Sequence, residues 1–95
     1  MAAYLIARIT VTDPEQYEKY KADAPAAIAA YGGRYLTRGG PMETLEGEEE
    51  THRMVLLEFP SMDKAREFYN SPEYTAAKDK RKGAATGQFL LLEGL

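Results

Sequence analysis

Two glycine pairs enclose a five-residue run in Gly32-Gly33-Arg34-Tyr35-Leu36-Thr37-Arg38-Gly39-Gly40, and nothing else in the chain restricts its folding as much. Gly32-Gly33 follows a long helical pattern and suits a left-handed helix cap, where a side chain would clash with the backbone. Gly39-Gly40-Pro41 is turn chemistry, so an extended segment that starts after Gly33 has nowhere to continue. Arg34 to Arg38 is therefore a short strand, with an arginine at each end and no acid between. A helix must enter it and a turn must leave it.

The remaining elements fall around that junction. Tyr4 to Val11 is a first strand: Leu5, Ala7, Ile9 and Val11 give one apolar face, and Tyr4, Ile6, Arg8 and Thr10 give a mixed one. Asp13 caps a helix that begins at Pro14, where a missing N–H costs nothing. Tyr17, Tyr20, Ala24, Ile28 and Tyr31 recur at helical spacing, and Pro25 should kink or restart the helix near Ala24. The acidic stretch from Pro41 to Thr51 reads as an exposed hairpin loop. His52 to Phe59, the most apolar strand, should be central. Ser61 caps a second helix through Ala65, Phe68 and Tyr69, and Ser71-Pro72-Glu73 opens a third, short one that ends in the basic run Lys78 to Lys82. Gly83 and Gly87 should bracket a loop before a last strand, Gln88 to Glu93. Strand, helix, strand, strand, helix, strand, with right-handed crossovers, gives an α+β, ferredoxin-like βαββαβ domain: a four-stranded antiparallel sheet with its helices on one face. Residues 1–95 are expected to form one such domain.

Composition removes several classes of function. A net charge of −3 gives neither nucleic acid nor an anionic membrane any electrostatic attraction. With no cysteine there is no disulfide, thiolate nucleophile or cysteine-bound metal. No apolar run approaches the roughly 20 residues needed to span a bilayer. The opening residues lack the pattern of a signal peptide, so a cytoplasmic protein is the expectation.

Helices on one side leave the other side of the sheet bare. That face would carry Ile6, Met54 and Leu56 and, depending on register, Leu90 and Leu92, an apolar surface rarely left in water. A second copy packed sheet against sheet about a two-fold axis would cover it, so a homodimer through the open sheet face is expected. A four-stranded face is about as large as the roughly 800 Å² per partner of a standard interface.

Several runs together resemble the DUF1330 family, small bacterial proteins of unknown function related to the dimeric α/β-barrel superfamily. They are Tyr31 to Gly40, Leu45-Glu46-Gly47, Leu57-Glu58-Phe59-Pro60-Ser61, Phe68 to Tyr74 and Glu93-Gly94. The resemblance covers nearly the whole chain and implies the ferredoxin-like fold and a barrel-like dimer. It carries no reaction, because none is established for the family. Members commonly place a tryptophan and a proline before the arginine that opens the third strand; here Glu49, Glu50, Thr51 and His52 precede Arg53, so that element is altered.

A pocket is expected between the sheet and the helix ends, as in other dimeric barrels that hold small organic molecules. Arg8 and Glu58 are charges in otherwise apolar strands; on an inner face they would pair with each other or bind a ligand. Arg38 and Arg53 lie near the ends of the hairpin between the second and third strands. They either converge on an anion, which a planar guanidinium suits, or answer the acidic loop Glu43 to Glu50. His52, the one histidine, is a candidate general base or a surface residue, and with no second histidine a metal site has little support. Seven tyrosines in 95 residues are many; most sit on helical stripes and read as packing. Tyr74 and Arg81, two turns apart on one helix face, are candidate pocket residues. Ser71 reads as a cap, since no G-x-S-x-G surrounds it, and the Gly32–Gly40 stretch lacks a phosphate-loop signature. The expected function is binding of a small organic molecule without a cofactor. The alternative is a cofactor-independent enzyme, monooxygenase-like or isomerase-like, whose acid–base group would be His52, Glu58 or Tyr74. A purely structural dimer is the third reading.

Overall fold

The computed structural model describes residues 1–95, arranged as β1 (Ala3–Val11), α1 (Pro14–Ala30), β2 (Arg34–Arg38), β3 (Arg53–Phe59), α2 (Met62–Tyr69), α3 (Pro72–Arg81) and β4 (Ala85–Glu93). The strands make one antiparallel sheet in the order β2-β3-β1-β4, a ferredoxin-like arrangement with β1 and β3 central and the short β2 at an edge. No helix is long and apolar enough to cross a membrane.

Local chemistry sets the boundaries. Asp13 Oδ1 accepts from the Gln16 N–H at 3.2 Å and Pro14 takes the first helical position. Gly32 lies at φ +78°, the left-handed conformation the glycine pair called for, and its N–H reaches back to the Ala29 carbonyl. A side chain at Gly33 would strike the Phe59 ring at 2.5 Å, so helix and sheet meet there without room for one. Ser71 Oγ donates to the Phe68 carbonyl at 2.7 Å and accepts from the Tyr74 N–H at 3.1 Å, which ties the end of α2 to the start of α3. Ser71 is thus a cap, as its setting in the sequence indicated.

Two boundaries differ from expectation. α1 runs as one helix through Pro25 and does not restart. β4 begins at Ala85, so Gly87 lies inside a strand and not in a loop. Gly87 faces Ile9 of β1, where a Cβ would lie 2.9 Å from the Arg8 carbonyl; the glycine permits close pairing.

The core lies between sheet and helices. β1 supplies Leu5, Ala7 and Ile9, β3 supplies Val55, Leu57 and Phe59, and the helices answer with Tyr17, Tyr20, Ile28, Phe68 and Tyr74. Phe59, Phe68 and Tyr74 stack in series, with centroids 5.0 and 4.4 Å apart. Burying each such ring contributes roughly 1.5–3 kcal/mol.

The opposite face carries Tyr4, Ile6, Leu56, Leu90 and Leu92, brought together by the pairings Ile6 with Leu56 and Leu90, and Tyr4 with Leu92. Leu90 and Leu92 are 47% and 57% exposed. Both register-dependent leucines therefore fall on the open face.

An arginine-rimmed cavity between α1 and the sheet

β2 is not regular. Arg34 pairs with Glu58 and Tyr35 with Leu57, but Thr37 pairs with Leu56, leaving Leu36 as an extra residue. The bulge breaks the two-residue alternation of the strand. Arg34, opposite Glu58, stays on the open face, where its Nε meets Glu58 Oε1 at 2.8 Å. Arg38, opposite Val55, is turned to the helix side.

There Arg38 joins Arg53, the inner-facing first residue of β3, and Lys21 of α1. Together with tyrosines 17, 20, 35 and 74 they line a cavity of about 30 Å³. The same three cations also line an outer groove of about 390 Å³, so they stand where the cavity meets the surface. Arg38 is held by a gap in the helix. Pro25 has no N–H to offer the Lys21 carbonyl four residues earlier, and Arg38 Nη2 donates to that oxygen instead, at 3.0 Å. The Arg38 guanidinium also lies 4.8 Å from the centre of the Tyr35 ring.

Arg53 has no ion-pair partner, and its Nε is buried with no acceptor. Its guanidinium rests against Gly39, where a Cβ would come within 2.3 Å of Nη1; Gly39 is also at φ +66°. Neither Arg38 nor Arg53 pairs with the acidic loop. An unpaired buried guanidinium donor costs on the order of 1–3 kcal/mol, which a carboxylate or phosphate would relieve.

At the inner wall the Tyr20 and Tyr74 hydroxyls lie 2.7 Å apart. Burial pushes both phenols above their ordinary value, and for Tyr20 the Tyr74 hydroxyl adds to the effect. Both stay protonated, so Tyr74 is not suited to be a base. Arg81 does not line the cavity. It is buried behind it, 5.3 Å from the centre of the Tyr20 ring and 4.4 Å from that of Phe89.

Arg8, His52 and Glu58 lie on the other side of the sheet. Arg8 and Glu58 do not pair, because Arg8 is opposite Met54 while Glu58 is opposite Tyr4. Glu58 instead takes Arg34. Arg8 Nε and Nη2 both reach Glu50 Oε2, at 2.9 and 2.8 Å, and Gln88 lies 3.3 Å from Nη1. The other Glu50 oxygen accepts from the His52 backbone N–H at 3.0 Å and from its ring at 2.6 Å. These bonds, those from His52 first and Arg8 after, hold the Glu50 carboxyl at about 2. As a carboxylate can only accept, His52 Nδ1 carries the proton. This cluster pins the end of the acidic loop to the open face.

The pH response of that pin follows from the sign of the shift. The folded carboxyl is depressed, so the tether is complete above the ordinary 4.5 and is lost as pH falls toward about 2. Carbon-detected NMR of the Glu50 carboxyl should give a midpoint near the lower figure; a midpoint near the ordinary value would mean that the loop is untethered in solution.

Sequence reasoning named Arg38, Arg53 and Tyr74 for the pocket but missed Lys21, Tyr17, Tyr20 and Tyr35. The helical tyrosines gave no signal beyond packing. No three histidine, aspartate or glutamate side chains are grouped to hold a metal ion.

Fold and cavity together define a ferredoxin-like α+β protein with a small polar-rimmed site between helix and sheet. The chain belongs to the DUF1330 family, a domain of unknown function, whose sequence model matches residues 2–95. No curated protein matches it. Among solved structures it is similar to the RPA0582 protein of unknown function from Rhodopseudomonas palustris, with a TM-score of 0.77, 21% identity, and 99% of this chain covering 82% of that one. SnoaB, a cofactor-independent oxygenase from Streptomyces nogalater, aligns with a TM-score of 0.67 at 18% identity over 99% of this chain and 93% of its own. A dimeric protein of unknown function with a ferredoxin-like fold from Bacteroides fragilis aligns with a TM-score of 0.61 at 19% identity, over 98% and 96% of the two chains. Likeness at these identities establishes the fold.

Proposed function

We propose that this chain is a single-domain homodimer that binds a small organic anion in the cavity between α1 and the sheet, with no catalytic step. The observation that carries the reading is Arg53: a guanidinium without a carboxylate partner, its Nε buried and unbonded, at the rim of an aromatic cavity beside Arg38 and Lys21. Arg53 and Arg38 hold the anion, Tyr20 and Tyr74 supply neutral donors, and Arg81 keeps the Tyr20 and Phe89 rings in place. The cavity lining contains no carboxylate or histidine, and His52 and Glu58 lie across the sheet. An acid–base mechanism has no base there, which favours binding over the enzymatic alternative despite the fold shared with SnoaB. Arg8 is part of the loop tether and takes no part in the site.

The dimer forms through the open sheet face. Its charged groups, Arg8 with Glu50 and Arg34 with Glu58, are already paired within the protomer, so covering the face strands no lone carboxylate or guanidinium. The dimeric relative from Bacteroides fragilis supports a two-copy assembly. A bacterial, cytoplasmic setting belongs to the same reading; the similar structures come from bacteria.

Benzoate titration followed by calorimetry tests the site. Binding to the unaltered protein is expected, and Arg53→Met should weaken it by about tenfold or more, the worth of a charge-assisted hydrogen bond. Gly39→Ala, which drives a methyl group into the Arg53 guanidinium, should weaken it as well while the fold survives. Benzoate that binds Arg53→Met as tightly as the parent would remove the anion site from this cavity.

A further inference from the structure

We infer that the cavity selects carboxylates that carry a second oxygen at the end remote from the carboxylate, with the Tyr20–Tyr74 hydroxyl pair reading that oxygen. The inference rests on the anion-binding reading above and adds a specificity to it. Two hydroxyls carry two protons, and the bond between them uses one. Neither phenol oxygen has any other protein partner, so one buried O–H is left without an acceptor. It lies on the wall of the same cavity whose rim holds Lys21, Arg38 and Arg53.

The order of these groups gives the ligand a direction. The three cations line both cavity and outer groove, whereas Tyr20 and Tyr74 line only the cavity. The groove also carries Glu18, which pairs with Lys21 at 3.0 Å, so an anion meets the two arginines first and neutral donors further in. The inner space, about 30 Å³, exceeds the roughly 10–15 Å³ that one water-sized group needs and admits a small oxygen-bearing group. Tyr17 and Tyr35 line the same cavity and not the groove, and their rings suit a flat ligand.

The pattern also excludes alternatives. A ligand with only a carboxylate leaves the inner O–H unpaired, and a neutral phenol leaves Arg53 unpaired; each forgoes one buried hydrogen bond. A dicarboxylate would bring a second full charge against two phenols held neutral by burial. The Arg81 guanidinium acts on the pair through its charge but does not line the cavity, so it offers such a ligand no hydrogen bond. A hydroxyl or keto oxygen fits best.

The test compares benzoate with its meta- and para-hydroxy derivatives by calorimetry on the unaltered protein. At least one hydroxybenzoate should bind about tenfold more tightly than benzoate, the worth of one satisfied buried hydrogen bond. The double variant Tyr20→Phe with Tyr74→Phe, shown to be folded by circular dichroism, should bring the ratio toward one, since either hydroxyl left alone still has a proton to donate. Equal affinity of the unaltered protein for all three acids would overturn the selectivity and leave anion binding standing. No binding of any of them would overturn both. A preference that survives the loss of both hydroxyls would place the second contact elsewhere and overturn the assignment to this pair.

Discussion

Leu56→Lys is expected to leave a folded monomer of 10.6 kDa where the parent chain, as the proposed dimer, should run at twice that mass. Leu56 stands opposite Ile6, which in turn stands opposite Leu90, so it belongs to the apolar stripe on the open face, on one of the two central strands. In a monomer the lysine would point into water and cost little, because its side chain replaces a partly buried leucine on a face outside the core cluster. In a sheet-to-sheet dimer, two lysines would lie near the two-fold axis, without partners and away from water. Desolvating each costs several kcal/mol, enough to shift the dissociation constant by more than a hundredfold. Light scattering after size exclusion gives the mass, and circular dichroism checks that the sheet is retained. A parent protein that is already a compact monomer at micromolar concentration would disprove the dimer, and a Leu56→Lys dimer would move the interface to another face.

Phe68→Ala should lower the unfolding free energy by about 3–5 kcal/mol, with no compensating rearrangement. Phe68 is 1% exposed and packs between Phe59 and Tyr74, so truncating it leaves a void bounded by two rings that are themselves locked in place. Phe59 is held between Phe68 and the Gly33 backbone, and Tyr74 by its bond to Tyr20. Domains of this size have about 5–15 kcal/mol of stability in total, so the variant should melt well below the parent or fail to fold. Urea titration gives the number. A loss under about 1 kcal/mol would mean that the rings can collapse into the gap and that the site they support is soft.

Much of the architecture was readable because each element announces its ends with backbone chemistry: Asp13-Pro14, Gly32-Gly33, Ser61 and Ser71-Pro72 all sit at the boundaries they predicted. The site was only half readable, for a definite reason. In a regular β2, Arg34, Leu36 and Arg38 would share one face. The extra residue at Leu36 puts Arg34 on the open face and Arg38 on the helix side, and no residue type in Arg34-Tyr35-Leu36-Thr37-Arg38 marks a bulge. The pairing of Arg8 was unreadable for a related reason. Its partner, Glu50, comes from an irregular loop whose path back over the sheet has no periodicity to follow. Gly87 misled in the opposite sense, since a glycine required for close strand pairing is indistinguishable in sequence from one that ends a strand.

Pro25 has the wider consequence. A helix with alanine there would recover a backbone hydrogen bond and become more stable by up to about 3 kcal/mol. The recovered N–H would share the Lys21 carbonyl with Arg38 and weaken the anchor that holds that arginine at the cavity rim. Thermal robustness and ligand capture thus compete for one oxygen atom. Regularising this helix to harden the protein would weaken that capture, so a stabilised version must be sought at positions that leave the proline in place.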